Sequence, residues 1–151
     1  MKAQPQSFEG KFQMWVYDPT HGRLLFRRMT ANTTQKRVDI VFNDVRTIQV
    51  CTFFESIMFN EIDSTETVGK VPASEITNEP GLRWFKIISK DWEGYICAGS
   101  VGFHEDDAGF SEPSAIYEAG PLLVNLAVNS SWYAEKYEPA ILKPRKWPFA
   151  T

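Results

Sequence analysis

The chain has 151 residues, a formal charge of −3, and 43% hydrophobic and 14% aromatic residues. That length suits one domain, able to bury roughly 68–70% of its unfolded surface, and the composition excludes the intrinsically disordered class. No apolar run approaches the roughly 18 residues a membrane-spanning helix requires.

The opening Met1-Lys2-Ala3-Gln4-Pro5-Gln6-Ser7 lacks the apolar centre of a secretory signal. The chain therefore reads as cytoplasmic, a single domain over residues 1–151 with residues 1–10 as an N-terminal arm. Phe12 to Met29 is the clearest secondary-structure signal, two β-strands joined by a tight turn. Phe12, Met14 and Val16 alternate with Gln13, Trp15 and Tyr17, the period of two of an extended strand. In the turn, Asp18 can accept from the backbone ahead of it, Pro19 fixes its own φ, and Gly22 tolerates positive φ. Val38 to Phe42 reads as a third strand, and Asn43-Asp44 as a two-residue reversal, since both residue types accept the left-handed region. Val45 to Ile62 is too long for one ordinary strand and is expected to divide near Glu55-Ser56.

Residues 63–82, punctuated by Pro72, Pro80 and Gly81, form a long surface loop with one helical turn expected at Ala73 to Ile76. Arg83 to Ser89 and Tyr95 to Val101 resume the sheet across the corner Lys90 to Gly94. Gly99 and Gly102 mark a bulge or bend there. Ser111 is placed to cap a short helix beginning at Glu112-Pro113. Residues 122–128 lean to strand and 131–137 to a short helix, although both periods fit this stretch. Residues 139–151, with Pro144 and Pro148, read as an extended C-terminal tail. Cys51 and Cys97 each fall in an apolar strand context and read as buried free thiols.

Four groups of residues invite a functional reading. Trp15, Tyr17, Arg23, Arg27 and Arg28 form a basic–aromatic set on the first hairpin, of the kind that stacks on ligands. The chain is acidic overall and carries no RNP or cold-shock pattern, so no nucleic-acid partner is expected. His21 has the chemistry of a general base, but no G-x-S-x-G or cysteine-nucleophile signature accompanies it, and Asp18 is near enough to hold it structurally. His104-Glu105-Asp106-Asp107 gathers an imidazole and three carboxylates, without the spacing of H-E-x-x-H or an EF-hand loop. It reads as a hydrated acidic turn, with no metal or cofactor implied. Finally, charge is segregated: residues 1–50 carry eight basic and four acidic side chains, and the acidic excess lies later, a pattern suited to a partner or to self-association.

The motifs Phe12-x-Met14-Trp15-x-Tyr17 and Thr20-His21-Gly22-x-Leu24-Leu25-x-Arg27 resemble the opening of a group of small bacterial proteins with no established activity. Val38-Asp39-Ile40-x-Phe42, Gly94-Tyr95-Ile96-x-Ala98, Glu105-Asp106-Asp107 and Glu112-Pro113-Ser114 resemble their later segments. The resemblance spans about residues 11–115 and implies a bacterial origin. It carries no ligand or catalytic residue across, and Thr20 stands where that pattern has Ser.

Together these features predict an α+β, mainly-β fold: one curved antiparallel sheet, half-barrel or barrel-like, of roughly six to eight strands, with one or two short helices. The function they point to is a non-enzymatic binding or interaction module, with Trp15, His21 and Arg28 as binding candidates and a protein partner or self-association as its mode. The alternative is a small hydrolase or small-molecule-binding enzyme using His21 or the cluster His104 to Asp107.

Overall fold

The computed structural model describes residues 4–29, 36–114 and Ile116. Eight strands carry the fold: β1 (Gln6–Asp18), β2 (Arg23–Met29), β3 (Arg37–Asn43), β4 (Thr47–Gln49), β5 (Phe53–Ile62), β6 (Arg83–Ile88), β7 (Glu93–Ala98) and β8 (Ser100–Asp106). They form a single antiparallel sheet in the order β4-β7-β6-β5-β1-β2-β3-β8, the mainly-β, curved architecture the alternation predicts. Residues 6–10 of the N-terminal arm are part of β1 and pair with β5 through Gln6↔Phe59 and Phe8↔Ile57. Among the described residues no helix is long and apolar enough to cross a membrane.

The curl has a local cause. Asn43-Asp44 does not reverse the chain. Asp44 takes the expected left-handed conformation (φ 52°), but β3 continues past it into β4 instead of folding back. On the facing strand, Gly99 bends β7 into β8, as its place in the sequence suggests. The two bends lie together: Gly99 N–H donates to Asn43 O (2.8 Å), and Arg46 N–H donates to Cys97 O (2.8 Å). The β3·β8 ladder thereby runs on into the β4·β7 ladder. The two ends of the strand order thus belong to one bent pair of strands.

The predicted break in the stretch from Val45 to Ile62 falls earlier than expected, at residues 50–52, and Glu55-Ser56 lies inside β5. Instead β1 bulges at Glu9-Gly10 (Gly10 φ 106°) opposite Ser56 (φ 57°), where the β1·β5 register slips by one. A bulge supplies the same sequence signal as a strand end, because both interrupt alternation.

The concave interior is filled by Phe12, Leu24, Phe26, Ile40, Phe42, Phe54, Ile57, Phe85, Ile87 and Ile96 with their neighbours. Ring packing is edge-on at Phe42–Phe85 (5.6 Å) and Phe26–Phe54 (5.4 Å), the arrangement the aromatic quadrupole favours. Part of the convex side is covered as well. Residues 63–82 contain two 3-10 turns, Ser64–Thr67 and Ala73–Glu75, the second where a helical turn is expected. This segment lays Val71, Ile76 and Leu82 over Ile62, Trp84, Tyr95 and Cys97, and Thr47 and Gln49 bind it at Glu75 Oε2 and Lys70 O. Cys97 is buried, as predicted, but Cys51 is exposed in the connection before β5. The predicted cap at Ser111 is a turn, with Glu112 N–H donating to Gly109 O. The predictions for residues 122–137 and for the 139–151 tail lie outside the described residues.

Candidate functional site

The register of β2, β3 and β8 sets two charged cross-strand rows on the convex face. Arg27 pairs with Asp39 and Asp39 with His104; one step along, Arg37 pairs with Asp106. Because ladder neighbours share a face, the fold gathers two arginines and two aspartates that are far apart in sequence. Asp39 accepts from Arg27 Nε (2.8 Å) and Nη2 (3.0 Å). Asp106 accepts from Arg37 Nε and Nη2, both at 2.9 Å. A looser contact of 3.8 Å between Arg37 and Asp39 links the two forks.

The remaining guanidinium donors hold the chain that follows β8. Arg27 Nη1 donates to the carbonyls of Phe110 (2.7 Å) and Glu112 (2.9 Å). Arg37 donates to the carbonyls of Gly109, Glu112 and Pro113. Phe110 packs edge-on against Trp15 at 4.7 Å, and Trp15 also lies under the Arg27 guanidinium at 5.1 Å. Segment 107–114 is therefore a strap held by its backbone. Arginine suits this task because its planar fork offers five fixed donors. Both arginines are essentially fully buried, a state that charged groups tolerate only when paired and hydrogen-bonded.

The basic–aromatic set of the hairpin is thus divided. Trp15 belongs to the strap, half-buried. The β1·β2 register slips by one between Met14 and Val16, so Val16 comes opposite Leu25 and Tyr17 opposite the core residue Leu24. Alternation alone puts Trp15 and Tyr17 on one face; the bulge separates them. Arg28 lies on the opposite face from Arg27. It is buried and donates to Lys36 O (2.6 and 3.0 Å) and to Glu9 O (3.1 Å). Burial pulls its guanidinium below the ordinary value, with Glu105 opposing the change.

His21 stands exposed at the β1–β2 turn, with Nδ1 2.7 Å from Asp18 Oδ2. Asp18 also accepts from the backbone N–H of Thr20 at 2.9 Å. The His21 contact, foremost, and these backbone bonds hold the Asp18 carboxyl below the usual range, against partial desolvation. The cluster His104 to Asp107 is split by strand alternation. His104 and Asp106 share the convex face, 3.7 Å apart, while Glu105 opposes core-facing Val38 and Asp107 is exposed. Among the described residues no group of three or more His, Cys, Asp or Glu side chains is placed to hold a metal ion.

Two features escape sequence reasoning. The arginine–aspartate relay is one, because its members come from positions 27, 37, 39 and 106. The other is the β3·β8 pair Asn43↔Ser100: both residues are buried, and the Asn43 amide and Ser100 hydroxyl find no hydrogen-bond partner among the described residues. The convex face of β1 and β5, between the strap and segment 63–82, differs in character. It exposes Phe53 (53%) and Met58 (37%), flanked by the exposed Lys90–Glu55 pair at 3.5 Å. The chain matches no family model, no curated protein and no solved structure.

Proposed function

We propose that the protein is a non-enzymatic interaction module of a bacterial cytoplasm, working through the convex face of β1 and β5. The observation that carries this reading is the exposure of Phe53 and Met58 on the open stretch of sheet between two covered regions. Exposed apolar groups rimmed by charge are the usual mark of a contact surface. The engagement of the chemistry-bearing residues elsewhere supports it: His21 is held by Asp18, and Arg27, Arg37, Asp39 and Asp106 are consumed by the strap. Two free cysteines suit a reducing compartment, and the resemblance of the hairpin to small bacterial proteins suits the origin.

The test pairs a contact assay with an activity screen. Cross-linking in source cells should trap a defined species with the wild type and lose it with Phe53→Asp. Screening with generic ester, phosphate and glycoside substrates should give no turnover that depends on His21 or His104. Turnover abolished by His21→Ala or His104→Ala would replace this reading with that of a small hydrolase.

A further inference from the structure

The open face has an internal symmetry. The β1·β5 ladder slips at the bulge formed by Gly10 and Ser56, and the exposed side chains are arranged about that point. On β5, Phe53 lies on one side of the bulge and Met58 on the other, with Phe53 opposite Gln13 and Met58 opposite Ser7. On β1, exposed Lys11 and exposed Glu9 flank Gly10 in the same way. Five residue steps along the strand take Phe53 to Met58, about 16 Å.

A two-fold axis lying in the plane of this face, crossing the strands at the bulge, turns the face onto itself. Under that rotation Phe53 falls on the partner's Met58 position, and Lys11 falls on the partner's Glu9 position. A surface that is apolar at both ends and oppositely charged about its centre is complementary to itself, which is the requirement of an isologous interface. Two sheets stacked face to face at about 10 Å, with strands roughly 30° apart, bury side chains of this size.

We infer that the partner of this face is a second copy of the chain, seated across β1 and β5 as a two-fold dimer in which Phe53 packs on Met58 and Lys11 pairs with Glu9. This deepens the interaction reading above and rests on it.

Sedimentation and light scattering on the purified protein, from micromolar to near-millimolar concentration, provide the test. The wild type should dimerise. Phe53→Asp should be monomeric and should melt where the wild type melts at concentrations too low for dimerisation, since the side chain is half in solvent. Lys11→Glu and Glu9→Lys should each weaken the dimer about tenfold or more, equivalent to about 1.4 kcal/mol, by facing like charges across the axis. An equimolar mixture of the two variants should restore it, because every Glu then meets a Lys. A wild type that stays monomeric throughout, or a mixture no more associated than either variant alone, overturns the inference. If the wild type is monomeric while Phe53→Asp still abolishes the cross-linked species in cells, the second copy is refuted and the interaction reading stands.

Discussion

Asp18 serves two backbones and one imidazole with a single carboxylate. Its Oδ1 accepts from Thr20 N–H and its Oδ2 meets His21 Nδ1, so the turn is closed by side-chain chemistry that depends on the ionised form. The folded carboxyl titrates below its ordinary value. The contribution of this turn to stability is accordingly present above the ordinary carboxylate range and lost as pH falls through the lowered value. His21→Ala removes the foremost cause, so the Asp18 carboxyl should titrate nearer the ordinary value in carbon-detected NMR; an unchanged titration would refute the assignment. The two cysteines differ for a comparable reason, solvent. Burial pushes the Cys97 thiol up to about 11, while Cys51 is exposed. Because the thiolate is the reactive form, a disulfide reagent should modify one thiol in the native protein and two after denaturation. Modification of both at equal rates in the native state would contradict the placement of Cys97.

Among the strands, β7 shows most plainly how packing selects a residue. Gly94 opens the β7 side of the ladder, where Ile87 pairs with it. A Cβ added there would run into the Gln49 carbonyl oxygen and crowd the Trp92 ring and Val50. The obstacle is backbone on one side, so relief requires β4 to move. Gly94→Ala should therefore cost about 1–3 kcal/mol, the range for overpacking a well-filled site; denaturant unfolding measures it, and a neutral result would mean that β4 is not seated on β7. Gly99 differs, since the atoms a Cβ would meet there belong to the Asp44 side chain, which can swing away. The bend at Gly99 thus depends on the backbone bonds to Asn43 and Cys97 on either side of it.

For the whole chain, the β3·β8 ladder and the strap bring residues 37–43 against residues 100–106 and then fold 107–114 over the same face. Closing so distant a contact costs chain entropy, and Arg37 offsets it by tying β3 to β8 and to three carbonyls of the strap at once. Arg37→Met leaves the partly buried Asp106 without its fork and those carbonyls without their donor. The expected loss is about 3–5 kcal/mol, the cost of removing one partner of a buried ion pair. Limited proteolysis should open first within 107–114, whereas Arg37→Lys, which keeps the charge but not the fork, should fall between. A fully stable Arg37→Met with an uncut strap would refute the latch.

Alternation at Phe12 to Met14, Val38 to Phe42 and Arg83 to Ile88 determined that the chain is a sheet, because a period of two is a property of the backbone and needs no partner. Gly99 as a bend, the Asp18–His21 contact and the helical turn at Ala73–Glu75 were legible for the same reason: each is a contact or a dihedral within a few residues. The tertiary structure alone decided that Asp44 continues a strand, that the bulge at Trp15 parts it from Tyr17, and that Arg27, Arg37, Asp39 and Asp106 meet. It also decided that Phe53 and Met58 stay in solvent while Leu25 and Val41, equally apolar, are buried. Those outcomes depend on which strands become neighbours and on what covers each face. Register across a sheet is a relation between segments remote in the chain, and no local pattern records it.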